Sequence, residues 1–174
     1  MSLVRIEKLW TLFFVMGVLG WVYETVLEVC VYQWGFSNRG ILFGPWLPIY
    51  GIGGLLFVGG CYTVVKSDLP LAVKLLMVFV ITALIATAVE LGATYILEAV
   101  NGEWPWDYTK YDIQFQGRIA LSTSIRFGLC GLLGMFVVYP AVECVTERLR
   151  GRVMTVFCTV TACLFVADLV YLVC

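Results

Sequence analysis

Residues 71–100 read LAVKLLMVFVITALIATAVELGATYILEAV, a stretch of 30 residues that contains one lysine and two glutamates. About 17 to 25 apolar residues suffice to cross the hydrocarbon core of a bilayer as a helix. Four further apolar stretches cover approximately residues 9–32, 47–65, 119–142 and 153–173. Because a backbone in lipid must satisfy its own hydrogen bonds, such stretches predict helices. We therefore expect an all-α integral membrane protein, with five transmembrane helices in a single domain over residues 1–174.

The composition excludes most other classes of protein. Of the 174 residues, 61% are hydrophobic and 13% are charged, whereas soluble domains are about 45 to 50% apolar. The formal net charge is −1, and we expect no nucleic-acid partner. The seven cysteines form no C-x-x-C pair and the chain has no histidine. Signatures of zinc, haem and disulfide exchange are thus absent, and neither a metal nor a cofactor is expected.

The distribution of lysine and arginine predicts the orientation in the membrane. With the N-terminus inside, the inner side carries seven basic residues, namely Arg5, Lys8, Lys66, Lys74, Arg148, Arg150 and Arg152. The outer connections then carry only three, namely Arg39, Lys110 and Arg118. Since cytoplasmic loops are enriched in Lys and Arg, this asymmetry predicts the N-terminus in and the C-terminus out. The two long polar connections, residues 33–47 and 101–117, would then share the outer side.

The connection after the first apolar stretch is unusual, because residues 38–51 read NRGILFGPWLPIYG. Its three glycines and two prolines predict an irregular backbone, which at membrane depth must be buried in protein or line a cavity. We expect a re-entrant loop whose Arg39 lies beside the positive end of the second helix, an arrangement that suits a phosphate or a carboxylate. The alternative is an ordinary outer loop, in which Arg39 pairs with Glu24 or Glu90 and Asn38 caps a turn.

The first helix concentrates small and acidic residues on one face. At about 100° per residue, Gly17, Gly20, Glu24 and Glu28 fall close to one line along the helix. Small residues allow a neighbouring helix to approach closely, so the carboxylates should face that neighbour and not lipid. Glu24 is expected within the membrane, whereas Glu28 is expected to reach the headgroups.

Further charges lie inside or beside the later helices. A charge near the bilayer centre costs about 2.5 to 3.5 kcal/mol, so Glu90 should be protonated, paired or part of a watery site. Arg126 needs a partner for the same reason, with Glu24 or Glu90 as candidates. If the second outer connection folds over the first as a lid, Asp107 is expected to pair with Arg39 or Arg118; the alternative is an interfacial anchor formed by its tryptophans. Asp168 is expected to reach water. The glycines of the fourth helix, at positions 128, 131 and 134, predict tight helix packing.

These residues also carry a resemblance to a known family. The segments WVYET at 21–25, NRGILFGP at 38–45 and PIYG at 48–51, followed by WDY at 106–108 and GRI at 117–119, resemble the CmpB-like ABC-transporter permeases of type IV. The resemblance implies a multi-pass protein of the bacterial cytoplasmic membrane that takes part in transport. Two features depart from the pattern, namely the triplet QFQ at 114–116 and Arg126.

Three functions follow from these observations. The first is a permease-like transport component, in which an outward-facing polar pocket binds a small polar, charged or anionic ligand. Because no P-loop sequence is present, an ATPase or other membrane subunit would have to be a separate chain. The second is an intramembrane enzyme or lipid-headgroup binder, in which Glu24 or Glu90 acts as acid or base and arginines hold phosphate. The third is an accessory scaffold, and a homo-oligomer remains open in each case. No His-supported nucleophile is visible, which argues against an enzyme. The candidate binding residues are Glu24, Asn38, Arg39, Tyr50, Glu90, Asp107, Arg118 and Arg126.

Overall fold

A computed structural model describes residues 3–104 and 106–173. The helices are α1 (Leu3–Val26), α2 (Pro48–Lys66), α3 (Leu71–Asn101), α4 (Leu121–Leu133), α5 (Tyr139–Arg148) and α6 (Arg152–Val173). Within the described residues, five helical segments are long and apolar enough to cross a membrane: Val4–Val31, Pro48–Lys66, Leu71–Val100, Leu121–Arg148 and Arg152–Leu172. The predicted all-α membrane class with five spans is therefore confirmed. Pro105, which belongs to the second predicted connection, lies outside the described residues.

Several predicted boundaries are wrong by a few residues. The first helix begins at Leu3 and not near residue 9, and the fourth span continues to Arg148 and not to residue 142. Backbone hydrogen bonds continue a helix beyond the lipid regardless of side-chain polarity, so apolar stretches underestimate helix length. The fourth span begins at Leu121, because Ile119–Ala120 form strand β2, which pairs antiparallel with β1 (Gln114–Phe115).

Two widened π-helical turns interrupt the spans, at Leu27–Val31 after α1 and at Gly134–Val138 between α4 and α5. Pro140 stands in the first turn of α5, directly after the second of these turns. Because proline lacks a backbone N–H and its ring collides with the preceding turn, a widened turn lets the helix pass through this position.

The described chain divides into two compact units. The first unit comprises the described parts of residues 1–55 and 138–174, and the second unit comprises residues 56–137. The core of the second unit is formed by Phe57, Cys61, Val78 and Met135. Buried apolar residues of the first unit include Leu12, Leu42, Leu47, Val142 and Met154. The single domain over residues 1–174 and the orientation in the membrane stay predictions.

In the first unit, the small residues of α1 provide a close contact with the start of α2. The backbone N–H of Leu47 donates to the carbonyl of Gly17 at 3.0 Å. A Cβ on Gly20 would collide with the ring of Tyr50, at 2.6 Å from Cδ2, so only glycine fits there. The glycine face of α1 thus packs against a neighbouring element, as its helical spacing predicts.

Candidate functional site

Arg39 has an internal partner in the first unit. Its Nε lies 3.0 Å from Oε2 of Glu28, whose side chain is buried. Ser37 donates to the same carboxylate twice, from its hydroxyl at 2.6 Å and from its backbone N–H at 3.3 Å. The prediction that Glu28 reaches the headgroups is wrong, because the loop folds back over it. Glu28, and not Glu24, is the partner of Arg39.

The other candidate residues of the first unit join the first loop (residues 32–47) and α2 to α1. The hydroxyl of Tyr50 donates to Oε1 of Glu24, and Nε1 of Trp21 donates to Oδ1 of Asn38 at 2.8 Å. The amide of Asn38 also donates to the carbonyls of Leu42 and Phe43, at 3.1 and 3.0 Å. Asn38 therefore shapes the first loop, and Glu24 is tied to α2.

Asp168 of α6 binds the tip of the first loop. Its two carboxylate oxygens accept from the backbone N–H groups of Phe43, at 2.9 Å, and Gly44, at 2.8 Å. Successive backbone amides of an irregular loop thus offer two donors for one carboxylate. That Asp168 also reaches water stays a prediction.

Glu90 lies in the second unit, within the membrane-spanning part of α3. Glu90 is 7% exposed, and its Oε1 accepts a hydrogen bond from the hydroxyl of Tyr108 at 2.8 Å. Tyr108 belongs to the second loop (residues 102–120), so this loop folds down onto the helix. Glu90 is therefore buried and hydrogen-bonded, as expected of an acid in a spanning segment.

Arg118 is held between aromatic rings and a carboxylate of the second unit. Its guanidinium lies 3.9 Å from the ring centroid of Trp104 and 4.4 Å from that of Tyr95. Nη2 donates to Oε2 of Glu98 at 2.6 Å, so the predicted pairing with Asp107 is wrong. The residue is 7% exposed, and its Nε and Nη1 are buried without a hydrogen-bond partner among the residues described.

Asp107 instead organises a turn in the second loop. Its carboxylate accepts from the backbone N–H and the hydroxyl of Thr109, both at 2.9 Å. The backbone hydrogen bond lowers the pKa of Asp107 most, and the hydroxyl hydrogen bond lowers it further. Desolvation opposes these two effects, and the nearby charge of Lys110 adds a smaller lowering. A Cβ on Gly117, which has φ +69°, would lie 3.1 Å from Oδ1 of Asp107. Asp107 and Gly117 are thus close neighbours at this turn.

Arg126 bonds within its own helix, and hydroxyls of α3 and α4 meet at the contact between these helices. Nε of Arg126 donates to the carbonyl of Ser122 at 3.3 Å, and the hydroxyl of Thr87 donates to that of Ser124 at 2.7 Å. The pairing of Arg126 with Glu24 or Glu90 stays a prediction. So does the outward-facing polar pocket, because its predicted residues belong to both units.

Sequence reasoning missed a polar cluster near the start of α1. Lys8 forms an ion pair with Glu143, which also accepts from the hydroxyl of Tyr139 at 2.9 Å. The adjacent Glu7 is buried and accepts from the hydroxyl of Thr155 at 2.7 Å. The i, i+4 spacing of Tyr139 and Glu143 signals a helix-face pair. Nothing local links either residue to Lys8.

A chain with five apolar spans and buried, paired charges is a multi-pass α-helical membrane protein. Its residues 11–173 match the family described as "Putative ABC-transporter type IV". The chain belongs to this family, which confirms the resemblance carried by its motifs. Family and spans together fit a membrane transport component. No curated protein and no solved structure matches the chain.

Proposed function

We propose that the protein is the membrane component of a transporter for a small polar or charged ligand, with Glu90 as its central binding group. The observation that carries the proposal is the burial of this ionisable residue in a spanning helix, under a hydrogen bond from Tyr108. Acidic residues inside spanning segments commonly mark ion or substrate pathways. A carboxylate here can accept a proton or hold a cationic group of the ligand.

The surroundings of Glu90 on α3 support this role. Thr87 and Thr94 stand three residues before and four residues after Glu90, on the same helical face, and Thr94 is fully buried. On α4, which packs against α3, the hydroxyls of Ser122 and Thr123 are buried without a hydrogen-bond partner in the described part of the chain. A polar ligand or water that reaches this end of α4 would satisfy such hydroxyls.

Tyr108 gives the second loop a role in access. A cation or a proton that binds the carboxylate of Glu90 competes with the tyrosine hydroxyl for its oxygen atoms. Binding at Glu90 would therefore loosen the second loop, and closure of the loop would shield the carboxylate from water. Energy from ATP would have to reach this site from a separate ATPase subunit, since the chain has no P-loop sequence.

The test is a flux measurement on protein reconstituted in liposomes. Proton, Na⁺ and K⁺ movement is followed with ion-sensitive dyes under an imposed membrane potential. We expect Glu90→Gln to lose most of a wild-type flux, because the neutral amide keeps the shape of the side chain but cannot bind a proton or a cation. Tyr108→Phe should alter the rate in the same assay, because it removes the hydrogen bond that covers Glu90.

Glu103→Gln is the matched control, because it removes one exposed carboxylate from the second loop and should leave the flux unchanged. Equal fluxes in wild type and Glu90→Gln, for every ion that wild type conducts, would refute a role of Glu90 in conduction. Mass spectrometry of small molecules that copurify with each variant extends the test to ligands other than these ions.

A second candidate function is the binding of an anionic lipid headgroup, and the surroundings of Arg118 favour it. A buried N–H group without a partner costs about 1 to 3 kcal/mol. Nε and Nη1 of Arg118 are two such groups, because neither has a partner among the residues that the structure describes. A phosphate oxygen would satisfy them, and Trp104 beside the guanidinium suits the membrane interface.

Arg118→Lys tests this candidate by lipid mass spectrometry of the purified protein. Lysine keeps the charge but loses the planar set of donors and the stacking, so we expect a phosphate-bearing lipid that copurifies with wild type to be depleted. Lys110→Ala, which removes an exposed charge from the same loop, should retain the lipid. Identical lipid content in all three proteins would exclude this function for Arg118.

A further inference from the structure

The first loop presents apolar side chains outward. Four large ones are strongly exposed: Trp34 by 72%, Phe36 by 67%, Ile41 by 69% and Phe43 by 82%. Between them, Asn38 and Arg39 bind back onto the protein through Trp21 and Glu28. Leu42, next to Phe43, is buried. A loop in water normally shows the reverse pattern.

The backbone N–H groups of residues 43 to 48 find their hydrogen-bond acceptors within the protein. The N–H groups of Phe43 and Gly44 donate to Asp168, that of Trp46 donates to the carbonyl of Gly44 at 2.8 Å, and that of Leu47 donates to Gly17. Pro45 has no N–H to satisfy. Every backbone donor from residue 43 to residue 48 thus has a partner within the first unit. The carbonyls of residues 42 and 43 are bound by Asn38.

Irregular backbone survives in an apolar environment only when its polar groups find partners within the protein. The single basic residue of the loop, Arg39, is neutralised by Glu28. The apolar tip also continues the surface of a spanning helix, since the ring centroids of Phe43 and Tyr171 of α6 lie 6.4 Å apart. Tyr171 itself is exposed, as expected of an aromatic residue at the end of a span.

We propose that the first loop is inserted into the membrane interface, with Ile41 and Phe43 among the lipid acyl chains. Asn38 and Asp168 replace water as hydrogen-bond partners of its tip. The loop thereby anchors the link between α1 and α2 in lipid.

The test places a genetically encoded fluorescent amino acid at position 43 of the full chain, in liposomes. Lipids with a doxyl group on the acyl chain quench a probe in the membrane, and iodide on both sides quenches a probe in water. We expect the probe at 43 to lose most of its fluorescence to doxyl lipids and little to iodide. A probe at Lys110, an exposed position of the second loop, should show the opposite pattern.

Iodide quenching at 43 as strong as at 110 would overturn the proposal. Protection from both quenchers would overturn it too, because a protein partner or a second copy would then cover the loop. Asp168→Asn provides a second measurement. The amide has one acceptor oxygen where the carboxylate has two, so the N–H group of Phe43 or that of Gly44 loses its acceptor. With this change the probe at 43 should become more accessible to iodide.

Discussion

Gly131→Ala is expected to destabilise the protein strongly, by about 1 to 3 kcal/mol, which is typical of overpacking in a well-packed interior. A Cβ at position 131 would lie 2.7 Å from Cγ2 of Thr82 and closer still to its Oγ1 and Cβ. Thr82 is fully buried, and its hydroxyl donates to the carbonyl of Val78 at 2.8 Å. It has no free space to enter, so α3 and α4 must move apart.

Thermal unfolding in detergent measures this effect, with Gly92→Ala as the matched control. Gly92 is a helical glycine of the same unit, and a Cβ there would meet nothing within 4 Å. The melting temperature of Gly92→Ala should stay at the wild-type value, while that of Gly131→Ala falls. Equal melting temperatures for the two variants would show that contact at Gly131 does not hold α3 against α4.

The sequence predicts the spans well because the bilayer imposes a simple rule on them. Thirty residues with three charges, as at 71–100, have few alternatives to a spanning helix. The same rule places Glu90 in the interior and predicts a close neighbour for the glycines of α1. It does not predict where a helix ends outside the lipid, and for that reason α1 begins earlier and the fourth span ends later than expected.

The partners of the charges were harder to predict, because they depend on how the loops fold. Arg39 and Glu28 are eleven positions apart, and a widened turn and an irregular loop lie between them. No helical or strand periodicity connects such positions. Asp168 and the amides of residues 43 and 44 are more distant still, and backbone donors leave no trace in the sequence. Motifs therefore identify important residues more reliably than they identify contacts.

Arg39→Gln is expected to cause the largest loss of folded protein among changes in the first loop. The buried carboxylate of Glu28 would keep its two hydrogen bonds from Ser37 but lose its cation. Removal of one partner leaves an uncompensated charge, which is far more damaging than replacement of both partners. The yield of monodisperse protein after size-exclusion chromatography should fall severalfold in this variant.

The double variant Glu28→Gln with Arg39→Gln separates an internal role of Arg39 from a ligand-binding role. If the arginine serves mainly to neutralise Glu28, the double variant should recover most of the yield, since no uncompensated charge remains. Arg150→Ala, which removes an exposed charge near the start of α6, should behave as wild type. A double variant that folds well but loses a copurifying anion would instead assign Arg39 to that anion. A double variant with a yield as low as the single one would show that neutralisation of Glu28 is not what the arginine contributes.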